Sequence, residues 1–203
     1  MKTLNLTATA FLLASSLALH AQEGDRAYKP YLALGPTFAQ GDARDLTQSS
    51  NGINSWSAEM GIEFFNPIAR IHMRPNFGMA KMYGVKPPKT WEWPTYQMLG
   101  WYGGMDLVYK NPRGWPVNLT IGPSFHVWNV EEMYNTIGGD TGQPEQSLKL
   151  GWRGGVAYEI SENLNVELSY TMSEWKSRRG VPYQPGLNPS RPLYFSLKVF
   201  YNF

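Results

Sequence analysis

The sequence predicts an all-β fold, an eight-stranded antiparallel up-and-down barrel that crosses a membrane. Three observations predict it. Apolar residues alternate with polar or small ones in eight stretches of roughly ten residues, the length that a tilted strand needs to span a bilayer. Short turns alternate with long polar connections between these stretches. Aromatic residues collect on the apolar face near the strand ends, as at the two interfaces of a membrane barrel.

The apolar residues of each stretch fall at every second position. In chain order the stretches cover residues 32–38, 56–64, 71–79, 99–109, 117–127, 148–160, 164–172 and 193–203. Turn-forming residues, such as the pair Asn66-Pro67, give short connections at 66–69, 110–115 and 161–163. The long polar connections are 41–52, 84–96, 131–147 and 175–192. An up-and-down barrel places all short turns at one end and all long loops at the other, with short periplasmic turns and long extracellular loops.

Composition narrows the class of protein. The chain has 203 residues, of which 14% are aromatic and only 17% charged, and its net charge is +2. Such a small net charge does not indicate the basic surface that nucleic acid binds, so nucleic acid is not an expected partner. The chain has no cysteine, so disulfides cannot stabilise a small core.

The first residues have the pattern of a secretory signal peptide. Lys2 precedes an apolar stretch at 8–19, and small residues follow before an acidic start at about residue 23. This stretch is too short to span a bilayer permanently. We therefore expect a signal peptide over residues 1–21 and a barrel domain over residues 22–203.

A soluble, secreted β-sandwich is the competing fold, because it also alternates apolar and polar residues between regular turns. The strand lengths, the alternation of connection lengths and the position of the aromatic rings favour the barrel. The expected girdle residues at the long-loop ends are Trp56, Trp101 and Trp152, and those at the short-turn ends are Phe64, Tyr109, Trp115, Tyr158, Tyr201 and Phe203.

With its alternating last strand and terminal phenylalanine, the chain resembles the small eight-stranded bacterial outer-membrane barrels, namely the OmpA transmembrane domain, OmpX and OmpW. The resemblance covers residues 28–203 and implies the outer membrane of a Gram-negative bacterium. It also implies that Tyr201 and Phe203 form part of the signal that the barrel assembly machinery recognises. Outer-membrane lipid and lipopolysaccharide are then the expected partners of a monomer.

Ten charged residues are expected to point into the barrel, five of each sign. They are Glu59, Glu63, Asp106, Glu159 and Glu167, and Arg70, Arg74, Lys149, Arg153 and Lys198. An eight-stranded barrel is just wide enough for side chains to fill it, and unpaired charges there are costly. We therefore expect these charges to pair and plug a polar lumen, with a narrow polar pore as the alternative. Gly151 and Gly155 are expected to relieve crowding on the inner wall.

Ser124 and His126 are the one candidate pair for catalysis. A nucleophile needs a base within hydrogen-bond reach and a group that orients the base. Residues two apart on a strand have Cβ atoms about 7 Å apart, so contact between these side chains depends on their rotamers. A core histidine held by neighbouring carboxylates is the expectation. We expect no catalytic site, no cofactor and no metal site.

The long loops carry the other candidate contacts. Trp91, Trp93 and Trp175 are expected to meet a partner, a surface or a small apolar ligand, with Arg178 and Arg179 near lipopolysaccharide phosphates. The predicted role is structural or surface interaction. The alternatives are a narrow channel or transporter for small hydrophobic molecules, as in OmpW-like barrels, and an enzyme that modifies lipid A.

Overall fold

The computed structural model is a closed barrel of eight antiparallel strands in sequence order. It describes residues 28–47, 55–65, 70–84, 95–111, 115–134, 148–173 and 193–203. The strands are β1 (Tyr28–Gln40), β2 (Ser55–Phe64), β3 (Ile71–Met82), β4 (Thr95–Tyr109), β5 (Val117–Tyr134), β6 (Leu148–Ser161), β7 (Leu164–Ser173) and β8 (Leu193–Asn202). A seven-residue helix, α1 (Gly41–Thr47), follows β1. In this part of the chain, no helix is long and apolar enough to cross a membrane.

The barrel closes between the first and last strands. Pairs from Tyr31↔Asn202 to Gln40↔Leu193 join β1 to β8, so every strand has two neighbours and no edge is left unpaired. We call the end with the β2–β3, β4–β5 and β6–β7 turns the lower end and the opposite end the upper end. The first described residue, Tyr28, lies at the lower end, where it pairs with Phe64.

Alternate residues face the outside and the lumen in every strand, as predicted. The outward side chains of Leu34, Ile121 and Leu150 are 58%, 60% and 54% exposed, whereas the inward Ser57 and Ser169 are 0% exposed. This arrangement puts the apolar side chains where lipid surrounds the barrel and the polar ones inside. The predicted fold class is confirmed.

Two strands are longer than the sequence pattern indicated. β4 begins at Thr95 and β5 runs to Tyr134, so both extend into residues that were expected to be loop. Their pairing continues up to Thr95↔Tyr134 through a register shift beside Tyr96. The apolar alternation fades there, at Gln97 and Asn129, because a strand that has left the bilayer no longer needs an apolar outer face. The two-residue alternation of apolar side chains therefore does not predict these extensions.

Helix α1 lies within the region predicted as the first long loop. It begins at Gly41, whose φ of 50° is in the left-handed region that favours glycine, and it contacts β1, β4 and β8. Ala43 of this helix is fully buried. Contacts with strands that are not neighbours in the barrel show that α1 crosses the upper end of the lumen.

The upper lumen below α1 holds a cluster of buried apolar side chains, beside buried polar ones such as Ser55, Thr171 and Ser173. It contains one cluster of buried side chains, formed by Ala39, Ala43, Ala80, Met82, Tyr96, Met98, Tyr102, Trp128, Val130 and Tyr194. We call this cluster the upper layer. The sequence predicted a polar interior filled by side chains, and the upper layer is an apolar cluster that this prediction did not include. Its strand residues have inward parity, but they lie where α1 covers the barrel, so burial here does not require polar side chains.

Large rings in the lumen lie over glycines on the neighbouring strand. Tyr31 is paired with Gly61, Tyr102 with Gly78 and Trp128 with Gly100. A Cβ atom added at any of these glycines would come within 2.5–2.7 Å of the partner's ring or hydroxyl. Gly151 is paired with Ser124, and a Cβ atom there would lie 2.7 Å from the His126 ring. A narrow barrel thus accommodates wide rings by placing no side chain beneath them.

Three prolines interrupt the hydrogen-bond ladders without opening the wall. Pairing skips two residues on each strand beside Pro36 (β1–β8), Pro75 (β2–β3) and Pro123 (β4–β5), because proline donates no hydrogen bond. Glycines allow the strands to stay close at these places. A Cβ atom at Gly61 would collide with the Pro75 carbonyl oxygen, and one at Gly122 would collide with that of Met105.

Replacing Gly78 by alanine should destabilise the barrel. The added methyl group would lie 2.5 Å from the Tyr102 ring and 2.6 Å from the Ala58 carbonyl oxygen, so the ring must move. Overpacking of this kind costs about 1–3 kcal/mol. Urea unfolding in lipid vesicles measures the effect. Gly103→Ala is the matched control, because a Cβ atom there would have no neighbour closer than 3.7 Å. Equal stability of the two variants would contradict this account of the packing.

Candidate functional site

The lumen holds a buried ionic network centred on the Glu59 carboxylate. Arg153 donates to both of its oxygens, one at 3.0 Å, and Lys198 Nζ donates to Oε2 at 2.6 Å. Tyr31 and Tyr102 hydroxyls donate to it at 2.8 and 2.9 Å. These partners come from β1, β4, β6 and β8. One carboxylate on β2 therefore binds side chains from four other strands.

A second group of contacts extends the network to β3 and β7. Arg74 Nη2 donates to Glu167 Oε2 at 2.5 Å and to Asp106 Oδ2 at 3.2 Å. Arg153 also binds Asp106, so the two arginines share this carboxylate. The guanidinium carbon of Arg74 lies 4.8 Å from the centre of the Phe200 ring, a cation–π contact.

We call Glu59, Asp106, Glu167, Arg74, Arg153 and Lys198 the central layer. Its three acids and three bases have exposed side-chain fractions of at most 5%. The formal charges balance, and each side chain has an oppositely charged partner. This satisfies the condition for keeping ions in a region of low dielectric constant.

A separate cluster lies near the lower end. Glu63 Oε1 is 2.9 Å from His72 Nδ1 and 3.5 Å from Lys110 Nζ. Lys110 also pairs with Glu159, which accepts a hydrogen bond from Asn118 Nδ2 at 2.8 Å. Glu159 and Lys110 side chains are 36% and 24% exposed, so this cluster meets solvent while the central layer does not.

The structure thus brings together eight of the ten charged residues expected inside, in two groups. Arg70 differs from the expectation, because it precedes β3 and is exposed at the lower end. Lys149 is half-buried near the upper end of β6, opposite His126, and lies in neither group. The alternation along a strand fixes only whether a side chain faces the lumen or the lipid. A residue beyond the strand end is free to turn towards water.

Sequence reasoning missed Tyr31, Tyr102, Lys110 and Asn118, which contact the charged residues of these groups. Tyr31 and Tyr102 have inward parity and face glycines, which is the signal that could have found them. Lys110 also continues the inward parity of β4, but it lies one residue past the strand in a predicted turn. The ten predicted residues are all charged, so the tyrosine hydroxyls and the Asn118 amide fall outside that set.

Ser124 and His126 form a hydrogen bond within the lumen. Ser124 Oγ lies 2.8 Å from His126 Nε2, and both side chains are buried. The His126 ring stacks on Trp128 at 6.2 Å and tilts against Tyr102 at 5.7 Å, and its Nδ1 atom has no hydrogen-bond partner. The expected carboxylates do not hold this histidine; aromatic rings and a serine do. A base without an orienting group lacks the third element of a catalytic triad.

Metal ligands do not converge in the described part of the chain, where no group of three or more His, Cys, Asp or Glu side chains could hold an ion. On the outer wall, Tyr201 and Phe203 are 50% and 43% exposed, and their rings make an edge contact at 5.1 Å. The predicted loop residues Trp91, Trp93, Trp175, Arg178 and Arg179, and the predicted signal peptide, lie outside the described residues.

The comparison of sequences with known families agrees with this geometry. Residues 9–203 match the outer membrane protein beta-barrel domain family. The chain belongs to this family. Membership implies a location in the outer membrane for the barrel described above. Comparison with the curated proteins gives no match.

Solved structures show the same likeness of fold. The chain is similar to Neisserial surface protein A, with a TM-score of 0.52 and 14% identity over 89% of this chain and 100% of that one. The chain is also similar to Ail, the attachment invasion locus protein of Yersinia pestis, with a TM-score of 0.47 and 10% identity over 87% of this chain and 97% of that one. For a major outer membrane protein from Thermus thermophilus, the TM-score is 0.47 and the identity is 17% over 88% of this chain and 100% of that one. At these identities the likeness concerns the fold alone.

Replacing Arg153 by methionine should destabilise the barrel strongly. The variant would leave Glu59 and Asp106 buried with fewer cationic partners, and removing one member of a buried ion pair costs about 3–5 kcal/mol. The free energy of unfolding in urea, measured in vesicles, gives the difference. Lys149→Met on the same strand is the control, and as a half-buried residue outside both groups it should change stability by about 0.5 kcal/mol or less. Similar losses for the two variants would contradict the central role of Arg153.

Proposed function

We propose that this protein is an exported, non-conducting outer-membrane barrel of a Gram-negative bacterium, with a structural or surface-interaction role. The observation that carries the proposal is the central layer. Six charged side chains from six strands meet across the lumen and neutralise one another. An ion-selective pore needs unpaired groups facing a continuous water path, and this layer supplies pairs instead.

The upper layer supports the same proposal. Met82, Met98 and Trp128 are at most 1% exposed, and α1 crosses above them. Water and ions would have to pass an apolar packed region before they reached the central layer. Two barriers of different chemistry thus lie in series along the lumen.

A barrel of this kind would act through its surfaces. Its apolar outer wall would contact outer-membrane lipid, and the loops with Trp91, Trp93, Trp175, Arg178 and Arg179 would contact lipopolysaccharide or a partner outside the cell. Export would use the signal peptide at residues 1–21. The outward Tyr201 and Phe203 would serve the barrel assembly machinery as part of a recognition signal, and the protein would work as a monomer.

No catalytic role is proposed for Ser124 and His126. Both side chains point into the lumen, so the strand wall separates them from lipid acyl chains. The Nδ1 atom of His126 has no carboxylate to orient the ring. Their hydrogen bond instead satisfies two polar groups beside the apolar upper layer.

Passage of small hydrophobic molecules is the second candidate function, and the upper layer is the observation that favours it. An apolar region under a short helix could receive such a molecule if α1 moved. Saturable binding of an apolar fluorescent dye, lost in Ala43→Trp and retained in the control Lys149→Met, would favour this candidate. Binding unaffected by Ala43→Trp would count against it.

Planar-bilayer recording tests the proposed plug. The wild-type protein should show no steady conductance, because paired side chains fill the central layer and apolar ones fill the upper layer. Removing two bulky charges with Arg74→Ala and Arg153→Ala together should introduce leak currents in molecules that still fold. Steady, ion-selective openings of the wild type would refute the non-conducting proposal.

Cysteine labelling tests the proposed topology, since the chain has no cysteine of its own. Asp140→Cys, between β5 and β6, should react with a membrane-impermeant thiol reagent on intact cells. Glu162→Cys, in the exposed turn between β6 and β7, should react only after the outer membrane is permeabilised. The opposite labelling pattern would show that the short turns face the cell exterior and the long loops face the periplasm.

A further inference from the structure

A lysine interrupts the uncharged outer wall of the barrel. Among the outward strand positions whose side chains the structure describes, Lys81 near the upper end of β3 is the one charged residue. It pairs with Trp56 on β2 and with Leu99 on β4, so its neighbours on both adjacent strands are apolar. None of the described carboxylates forms an ion pair with Lys81. Its charge therefore lacks a counterion in the described part of the chain.

Two aromatic side chains position the Lys81 amine. Its Nζ atom lies 4.7 Å from the centre of the Tyr83 ring, a cation–π contact. Trp56 Nε1 donates a hydrogen bond to the Tyr83 hydroxyl at 3.3 Å. We call Trp56, Lys81 and Tyr83 the Lys81 cluster. Tyr83 is 38% exposed and the other two residues are half-buried, so the cluster is open to its surroundings.

The chemistry of the Lys81 cluster selects an anion. The ammonium group of Lys81 has three N–H donors and no acceptor. The Tyr83 hydroxyl accepts a hydrogen bond from Trp56, which leaves its own O–H available to donate. Both groups would therefore donate to a ligand with several acceptor oxygens and a negative charge. A phosphate group has this chemistry, and its hydrogen bonds to a charged donor are stronger than neutral ones.

The height of the Lys81 cluster on the wall indicates where this phosphate comes from. Below Lys81, the outward residues of β3 are apolar from Met79 down to Ile71. Tryptophan and tyrosine side chains favour the level of the lipid headgroups, and a lysine there keeps its charge out of the hydrocarbon. The cluster therefore lies where the phosphates of membrane lipids lie.

We propose that the Lys81 cluster binds a phosphate group of a lipid in the outer leaflet. Lys81 Nζ and the Tyr83 O–H donate to the phosphate oxygens, and Trp56 orients the Tyr83 hydroxyl. The proposal rests on the proposed function, in which the upper end faces the cell exterior and meets lipopolysaccharide. It places a specific lipid contact on the wall between β2 and β4, apart from the loops that carry Arg178 and Arg179.

Native mass spectrometry of the full barrel, released from an uncharged detergent, measures the affinity for lipid A. Lys81→Gln should weaken the binding of phosphorylated lipid A about fivefold, the factor that one lysine near a charged membrane surface contributes. Tyr83→Phe keeps the ring and removes the hydroxyl, so it should weaken binding about threefold. Lys149→Gln is the matched control, because it removes the same charge near the upper end from a side chain with inward parity, and it should leave the affinity unchanged.

The same titration with dephosphorylated lipid A separates phosphate recognition from acyl-chain contacts. Wild type and Lys81→Gln should then bind equally, and inorganic phosphate added at millimolar concentration should not displace the phosphorylated lipid. Equal binding of phosphorylated lipid A by these two proteins would overturn the proposal, and so would an equal loss in Lys149→Gln. Displacement by inorganic phosphate would show a site for the free anion and would overturn the lipid assignment. Conductance and cysteine labelling decide the proposed function alone, because the affinity in detergent depends on neither.

Discussion

A buried carboxylate needs cationic or hydrogen-bonding partners on all its open sides, and Glu59 imposes this requirement on the whole barrel. Its partners are Tyr31, Tyr102, Arg153 and Lys198, which come from four strands. Their side chains reach the same carboxylate only if the strands keep their register. A slip of one residue between two strands would turn one of these partners outward into lipid and deprive the buried Glu59 carboxylate of it. The network therefore specifies register as well as filling the lumen.

The narrow lumen explains why large aromatic side chains lie opposite glycines, which have no side chain. The Tyr102 ring supports the network from above Gly78, and the Tyr31 ring does so from above Gly61. Glycine also lets strands approach beside Pro36 and Pro75, where ladder hydrogen bonds are missing. Such positions would weaken an open sheet, but here each strand is held on both sides and from within. Closure of the barrel thus makes local departures from strand preference tolerable.

The lumen changes character along its axis and around its wall. Solvent-accessible ion pairs occupy the lower end, a dry ionic layer occupies the middle, and apolar side chains beneath α1 occupy the top. Among the described residues, the buried polar side-chain atoms without a hydrogen-bond partner all belong to β5, β6 and β7. Interior polarity alone therefore does not describe a small barrel. What a solute meets depends on the height and on the strand that it faces.

The sequence by itself determined the strands, their inward and outward faces and the short and long connections, because a bilayer outside and a narrow lumen inside impose a strict period of two. The same period was enough to name all six residues of the central layer. It could not decide which charges pair, since partners such as Arg153 and Glu59 are far apart in the chain and meet only across the closed barrel. Nor could it find α1, the upper layer or the extensions of β4 and β5, or exclude Arg70 from the interior. These features depend on where each strand leaves the bilayer and on what covers the open end, and only tertiary packing decides both.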